Sequence, residues 1–378
     1  MDKTKVILIP CKNYDEDNTY KAIKEGIKLL GGLDSIINKD EKILLKPNLL
    51  KAATPDKAIT THPMIFNGVL KCLKENGYEN ISYGDSSGSS QKPIDTVKAC
   101  GLKEVADKYN VNLGDFDHYV TVDYKEGKTA KKFTLCKEVV DSDAIISLSK
   151  MKTHALVNIT GAIKNQYGCI YSGQKALGHA KYPNSDLFSK MVVDLNMFIK
   201  PRLYIMDGVI AMEGNGPSSG EPVLMGLILI SKDPVALDAI FAKLINLDLK
   251  AVPTCLIGQK YGLGTMDYNN IEVVTPDGVI SIDETYEKYG NPNFNVNRNR
   301  QSFWHIKDLL FKTKKPHHKP VVDLNKCIAC GICENACPVD GKAVHSGNGK
   351  KAEYDYSKCI RCYCCQEMCP AKAISKVD

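Results

Sequence analysis

Short apolar runs alternate with amphipathic segments along residues 1–300. The runs at 5–11, 42–50, 143–150, 202–209 and 223–231 predict strands, and several of them are apolar throughout, as in strands buried on both faces. The segment at 80–90 predicts a strand that continues into a Gly/Ser loop. Apolar spacing of three to four residues predicts helices at 20–30, 63–76, 93–108, 185–199 and 233–247. This alternation predicts an α/β fold, a large Rossmann-like domain over 1–300 with a mostly parallel sheet and helices on both faces.

The pattern changes near the C-terminus, where nine of the fifteen cysteines lie between Cys327 and Cys369. The spacing Cys-x2-Cys-x2-Cys-x3-Cys-Pro occurs twice, from Cys327 and from Cys359. It is the spacing of bacterial 4Fe–4S proteins, in which the fourth cysteine ligates the other cluster. A pair of zinc sites is the alternative, but zinc ligands usually come in two Cys-x2–4-Cys pairs.

The doubled spacing therefore predicts two 4Fe–4S clusters in a small α+β ferredoxin-type domain over residues 321–378. The predicted ligands of the first cluster are Cys327, Cys330, Cys333 and Cys369, and those of the second are Cys337, Cys359, Cys362 and Cys365. Cys364 is additional to this set. It is interpreted either as a small buried apolar side chain or as a redox-active or substitute ligand.

Residues 301–320 form a predicted basic linker that contains KTKKPHHKP. It is interpreted as a strap that docks the tail on the large domain, or as a patch for a membrane interface or an acidic partner. The net charge of +6 is too small to indicate nucleic-acid binding. The N-terminus does not resemble a signal peptide and no apolar run is long enough to span a bilayer, so a cytoplasmic protein is expected.

Polar residues cluster where the predicted strands end, which is where open α/β sheets bind ligands. Lys46 lies in an apolar strand. It is interpreted either as an anchor for an anion or as a lysine whose ammonium group reaches solvent. Asp85, Ser86 and Ser87 follow another strand and predict a cradle for a phosphate or carboxylate.

The segment KMKTH at 150–154 is expected to follow a strand, and TGAIKN at 160–165 to open a helix with free amides. Lys152, His154 and Lys164, with His179 as a further candidate, predict a cationic pocket, and solvated surface charge is the alternative. Gly161 and Asn165 are the candidate ligand-binding residues of the helix start.

Asp207 follows the apolar segment RLYI at 202–205, and Glu213 opens a loop rich in Gly and Pro. Both carboxylates are candidates for acid–base groups or metal ligands.

The segments LKPNLL (45–50), TTHP (60–63), GDSSG (84–88), KMKTH, TGAIKN, DGVIAMEGNGPSSGEP (207–222) and SKDPVALDA (231–239) resemble the domain of unknown function 362 family over essentially the whole chain. The resemblance implies a cytoplasmic iron–sulfur protein, mostly of anaerobes, with a ferredoxin-like label that does not specify a reaction.

The favoured hypothesis is an iron–sulfur oxidoreductase. Its tail would take low-potential electrons from a redox partner protein and pass them to an anionic substrate or cofactor in the large domain. The alternatives are an electron carrier whose large domain only docks a partner, and a cluster-carrying maturation factor. No dinucleotide fingerprint requires a flavin, and the oligomeric state is left open.

Overall fold

The computed structural model describes residues 3–88, 91–298 and 318–377, so most of the predicted linker, 301–317, lies outside the described residues. The strands are β1 Thr4–Pro10, β2 Ile43–Pro47, β3 Ile81–Tyr83, β4 Asn112–Leu113, β5 Tyr119–Asp123, β6 Lys132–Cys136, β7 Ala144–His154, β8 Asn158–Thr160, β9 Leu203–Glu213, β10 Glu221–Ser231, β11 Ile271–Thr275, β12 Gly278–Ile280, β13 Lys319–Val322, β14 Val344–Gly347, β15 Lys350–Tyr354 and β16 Ile374–Val377.

The helices are α1 Glu16–Leu29, α2 Pro63–Glu75, α3 Pro93–Ala99, α4 Leu102–Lys108, α5 Lys137–Val140, α6 Ala162–Asn165, α7 Ser172–Lys181, α8 Ser185–Ile199, α9 Pro234–Leu244, α10 Pro253–Tyr261, α11 Ile282–Tyr289, α12 Ile332–Asn335 and α13 Cys364–Met368. None of the helices in the described ranges is long and apolar enough to cross a membrane.

One large sheet organises the first 300 residues, with the strand order β12-β11-β1-β10-β9-β7-β2-β3-β4 and with β8 paired to β7. The strands β1, β2, β3, β4, β7, β9 and β11 share one direction, whereas β8, β10 and β12 run against it. The prediction of an α/β domain with a mostly parallel sheet is therefore confirmed.

Apolar side chains fill both faces of this sheet, because successive residues of a strand point to opposite sides. In β1, Val6 and Leu8 belong to one core, which α8, α9 and α10 cover. Ile7 and Ile9 belong to the other core, which α1 to α4 cover. The two cores explain why β1 and β2 are apolar almost throughout.

Three elements differ from the sequence-based prediction. The helix expected over 93–108 is two helices, separated at Gly101, which has a positive φ of 77°. β7 continues to His154 because the hairpin partner β8 extends its pairing, so KMKTH lies within the strand and does not follow it. β9 likewise continues beyond the predicted end at 209 to Glu213, against β10.

The C-terminal region consists of two antiparallel ribbons, β13–β16 and β14–β15, with the short helices α12 and α13 between them. Its own small core is made mainly of cysteine and alanine side chains. The prediction of a small α+β ferredoxin-type domain is therefore confirmed.

Candidate functional site

A buried polar network lies at the carboxyl ends of β2, β3 and β7. The ammonium group of Lys46, in β2, forms a 2.9 Å ion pair with Asp85, which follows β3. Both side chains are almost inaccessible to solvent. Asn165 Oδ1 accepts hydrogen bonds from Lys46 Nζ at 3.3 Å and from Asn48 Nδ2 at 3.0 Å. Burial in the sheet centre excludes the interpretation of Lys46 as a lysine that reaches solvent.

Alternate residues of β7 present cationic or imidazole side chains to this network. Lys152 Nζ donates to Asn48 Oδ1 at 2.8 Å and to the Ile59 carbonyl at 2.7 Å. His154 Nδ1 accepts from the Leu156 amide at 3.0 Å, so a neutral His154 carries its proton on Nε2. Burial lowers the pKa of Lys152 well below its usual range and that of His154 to about 4.

Lys164 and His179 complete the group. The Lys164 side chain is 8% exposed, and Glu367 and Asp85 are among its electrostatic neighbours. His179 is buried, its Nδ1 is unpaired in the same part of the chain, and its ring stacks on Phe188. Burial lowers the pKa of Lys164 and that of His179, the latter to about 4. Lys46, Lys152, His154, Lys164 and His179 are called the cationic cluster below.

A second ionic group lies beside the cationic cluster and includes two residues that the sequence-based prediction missed, Tyr14 and His62. Lys150 and Asp207 form a buried 2.9 Å ion pair. Tyr14 OH donates to Asp207 Oδ1 at 2.7 Å, the His62 amide donates to Oδ2 at 3.0 Å, and the two rings stack at 3.4 Å. Asp207 is therefore paired with a lysine within the sheet. The TTHP motif was the available signal for His62.

Three other predicted residues, Ser86, Ser87 and Glu213, make their contacts outside the cationic cluster. The carbonyl groups of Ser86 and Ser87 accept from Lys175, and the Glu213 carboxylate accepts from the Asn295 amide at 2.7 Å, outside the cluster. Glu213 ends β9 rather than opening a loop.

The expectation of free amides at the start of α6 is wrong. The Asp238 carboxylate accepts from the amides of Ala162 and Ile163, at 2.6 and 3.1 Å. Gly161 leaves room for this carboxylate, because a Cβ at position 161 would lie 1.9 Å from Asp238 Oδ1. The helix start binds a carboxylate of the same chain.

The tail docks on the cationic cluster through α13. Gln366 Nε2 donates to the Asn215 and Gly216 carbonyls, at 2.9 and 3.2 Å, and Ser218 Oγ donates to the main-chain oxygen of Glu367. The Glu367 carboxylate lies 3.1 Å from His154 Nε2. Burial raises the pKa of Glu367, but His154, Lys164 and His179 outweigh burial and lower this pKa far below its usual range.

Two cavities in the tail are each lined by four of the predicted cysteine ligands. One is lined by Cys327, Cys330, Cys333 and Cys369, and the other by Cys337, Cys359, Cys362 and Cys365. In the described part of the chain, no three His, Cys, Asp or Glu side chains converge as ligands of a single metal ion. Thiolates around a cavity fit a polynuclear cluster better than a zinc ion. Cys364 is buried and lines neither cavity.

Comparison with known proteins identifies both parts of the chain. Residues 43–243 match the model of a domain of unknown function, DUF362, and residues 319–370 match that of a 4Fe–4S dicluster domain. The chain therefore belongs to the DUF362 family, as the sequence motifs indicated. The C-terminal match supports binding of 4Fe–4S clusters and iron–sulfur electron transfer.

Individual relatives add little to this assignment. A thylakoid-associated protein of Synechocystis is 28% identical over 269 residues, which cover 68% of this chain and 79% of the relative. The apoprotein of lactate racemase from Thermoanaerobacterium thermosaccharolyticum has a TM-score of 0.38 at 13% identity, over 60% of this chain and 54% of that chain. A Thermotoga maritima protein has a TM-score of 0.34 at 15% identity, over 64% and 59%.

Proposed function

We propose that this member of the DUF362 family is an iron–sulfur oxidoreductase, in which the dicluster tail relays low-potential electrons to an anionic substrate or cofactor held by the cationic cluster. The observation that carries the proposal is the docking of α13, which bears Cys365 and places Glu367 3.1 Å from His154. A cluster ligand and a contact to the candidate site thus lie two residues apart on one helix.

The two tail cavities suit different positions in such a relay. Exposed residues line the cavity that includes Cys330, since Cys330 is itself exposed and Ile328 is 64% exposed. A redox partner protein would reach this cavity. Each bound 4Fe–4S cluster would supply a one-electron redox centre, with the cysteines around each cavity as its ligands.

The residues of the large domain have separate roles in this proposal. Lys152 and Lys164 would hold the anionic group, because both are buried and the site has few carboxylates to balance them. His154 is neutral near pH 7 and would present an N–H to the bound anion. The Lys150–Asp207 pair would hold β7 and β9 together beside the cationic cluster. A cytoplasmic location remains a prediction.

The test follows reoxidation of the anaerobically reduced holoprotein by the small-molecule fraction of an anaerobic cell extract, using the visible absorbance of the clusters. The wild type is expected to reoxidise faster with the extract than with buffer. The Lys152→Ala and His154→Ala variants should keep the cluster spectrum but lose the extract-dependent rate.

Lys260→Ala is the matched control, since Lys260 is an exposed lysine on α10. It should reoxidise as the wild type does. Unchanged extract-dependent rates in both site variants would contradict the proposed site. A wild type that the extract cannot reoxidise would favour the electron-carrier hypothesis instead.

A further inference from the structure

We propose that the cationic cluster binds the carboxylate group of a small-molecule ligand, and that the Glu367 side chain occupies this carboxylate position in the present structure. The inference rests on the proposed function, since it names the chemical class of the ligand for the same site. It also assigns Glu367 the role of an internal substitute that the ligand displaces.

The first step of the inference compares the buried lysines of the site with its buried carboxylates. Lys46, Lys152 and Lys164 are at least nine-tenths buried, whereas the carboxylates buried with them are Asp85 and Glu367. Asp85 is already used by Lys46. Without Glu367 the remaining lysines would have no carboxylate, and unpaired buried charge is costly. An anion bound in its place would restore this balance whenever Glu367 leaves.

The second step concerns the polar side chains of the site, which suit a negatively charged hydrogen-bond acceptor. His154 Nε2 lies 3.1 Å from the Glu367 carboxylate. Lys164 is buried and acts electrostatically on Glu367, and the buried Nδ1 of His179 has no hydrogen-bond partner within the described ranges. The group that contacts His154 in the structure, at 3.1 Å, is a carboxylate, which is the reason for assigning a carboxylate ligand.

The docking contacts explain how Glu367 can leave while the tail stays in place. Besides the Glu367–His154 contact, α13 is held to the large domain by hydrogen bonds of the Gln366 side chain and of the main-chain oxygen of Glu367. Rotation of the Glu367 side chain breaks none of these hydrogen bonds. A ligand carboxylate can thus replace Glu367 at His154 while Cys365 remains close to the site.

The experiment measures amide hydrogen exchange over residues 152–168 in the anaerobic holoprotein, with sodium acetate as the probe and sodium chloride at equal ionic strength as the reference. In Glu367→Ala the exchange should be at least tenfold faster than in the wild type, and acetate should reverse this increase. The wild type should need at least tenfold more acetate for any response, because its own carboxylate competes. If Glu367→Ala loses its clusters, Glu367→Gln replaces it, since it keeps the size of the side chain but not the charge.

Two further variants decide the location of the effect. Glu353→Ala removes an exposed carboxylate of the tail and should respond to acetate as the wild type does. Glu367→Ala combined with Lys164→Met should lose the acetate response. Exchange in Glu367→Ala that acetate does not slow, or that acetate slows equally without Lys164, would overturn the proposal. Protection by inorganic phosphate at lower concentration than by acetate would overturn the assignment of a carboxylate.

The outcomes separate this inference from the proposed function. Acetate binding at the site, together with normal extract-dependent reoxidation of the Lys152 and His154 variants, would retain the carboxylate site and remove the relay. Loss of reoxidation in those variants without acetate binding would retain the relay and remove the carboxylate ligand.

Discussion

Replacement of Asp207 by alanine should destabilise the large domain strongly. Asp207 was a candidate acid–base group, but its carboxylate accepts from Lys150 Nζ at 2.9 Å, from Tyr14 OH at 2.7 Å and from the His62 amide at 3.0 Å. In Asp207→Ala, the Lys150 ammonium would remain in a position where the side chain is 1% exposed, without its carboxylate partner.

The size of the effect follows from this burial. Removing one partner of a buried ion pair costs about 3–5 kcal/mol, because the other charge is left uncompensated. At ~2–4 °C per kcal/mol for large domains, the expected decrease in Tm is roughly 6–20 °C. Burial lowers the pKa of Lys150. Between this lowered pKa and the ordinary lysine pKa, the unfolded chain therefore binds more protons than the folded one. The loss of stability in Asp207→Ala should shrink as the pH rises through that interval.

The assay is thermal unfolding of the anaerobic holoprotein, followed by far-UV circular dichroism, for Asp207→Ala, Lys150→Met and the double variant. The double variant should recover at least half of the loss in Tm, since it no longer buries an unpaired ammonium group. The recovery should be incomplete because Tyr14 and the His62 amide still lack their acceptor.

A decrease in Tm of less than about 2 °C in Asp207→Ala would refute the reasoning, since it would correspond to less than ~1 kcal/mol. A double variant as unstable as Asp207→Ala would also refute it. If Asp207→Ala kept its Tm and lost extract-dependent reoxidation, Asp207 would be an acid–base group as the sequence suggested.

Three further predictions concern the clusters, the pH dependence and the tail. Cys369→Ser should remove the same electron paramagnetic resonance signal and the same half of the iron as Cys330→Ser, because both residues line one cavity; different lost signals would contradict the ligand assignment. The Tm should fall as the pH decreases from 6.5 to about 4, because buried His179 stays neutral in the folded state and binds a proton on unfolding. The Tm of His179→Asn should therefore decrease less over this pH range than the Tm of the control His118→Asn, which replaces an exposed histidine. Gln366→Ala should accelerate amide exchange over residues 214–220 by roughly tenfold or more, at ~1–3 kcal/mol for the lost hydrogen bonds, and unchanged exchange would mean that Gln366 does not hold the tail.

Much of the fold and part of the candidate site could be predicted from local pattern. The apolar runs indicated β1, β2 and the start of β7 because these strands are buried on both faces. The ends of β7 and β9 were predicted too early, since pairing with β8 and β10 extends both strands through polar residues. Local polarity cannot report such pairing.

The residues of the site show the same division. Lys46, Lys152, His154 and Lys164 stood out because lysine and histidine are unusual next to apolar strands. Glu367 could not be singled out, since a glutamate between two cysteine ligands on a short helix reads as a solvated residue. Its contact with His154 depends on the docking of α13 and joins positions more than two hundred residues apart.

The sequence by itself determined the α/β class and the ferredoxin-type tail. It did so because both follow from short-range chemistry, namely the period of apolar residues and the spacing of cysteines along one loop. The tertiary structure decided which charges neutralise each other. It paired Asp207 with Lys150, occupied the amides of α6 with Asp238, and brought the tail carboxylate Glu367 to His154. Each of these pairs joins positions more than fifty residues apart, so the local pattern that indicates ion pairs within a helix could not reveal them.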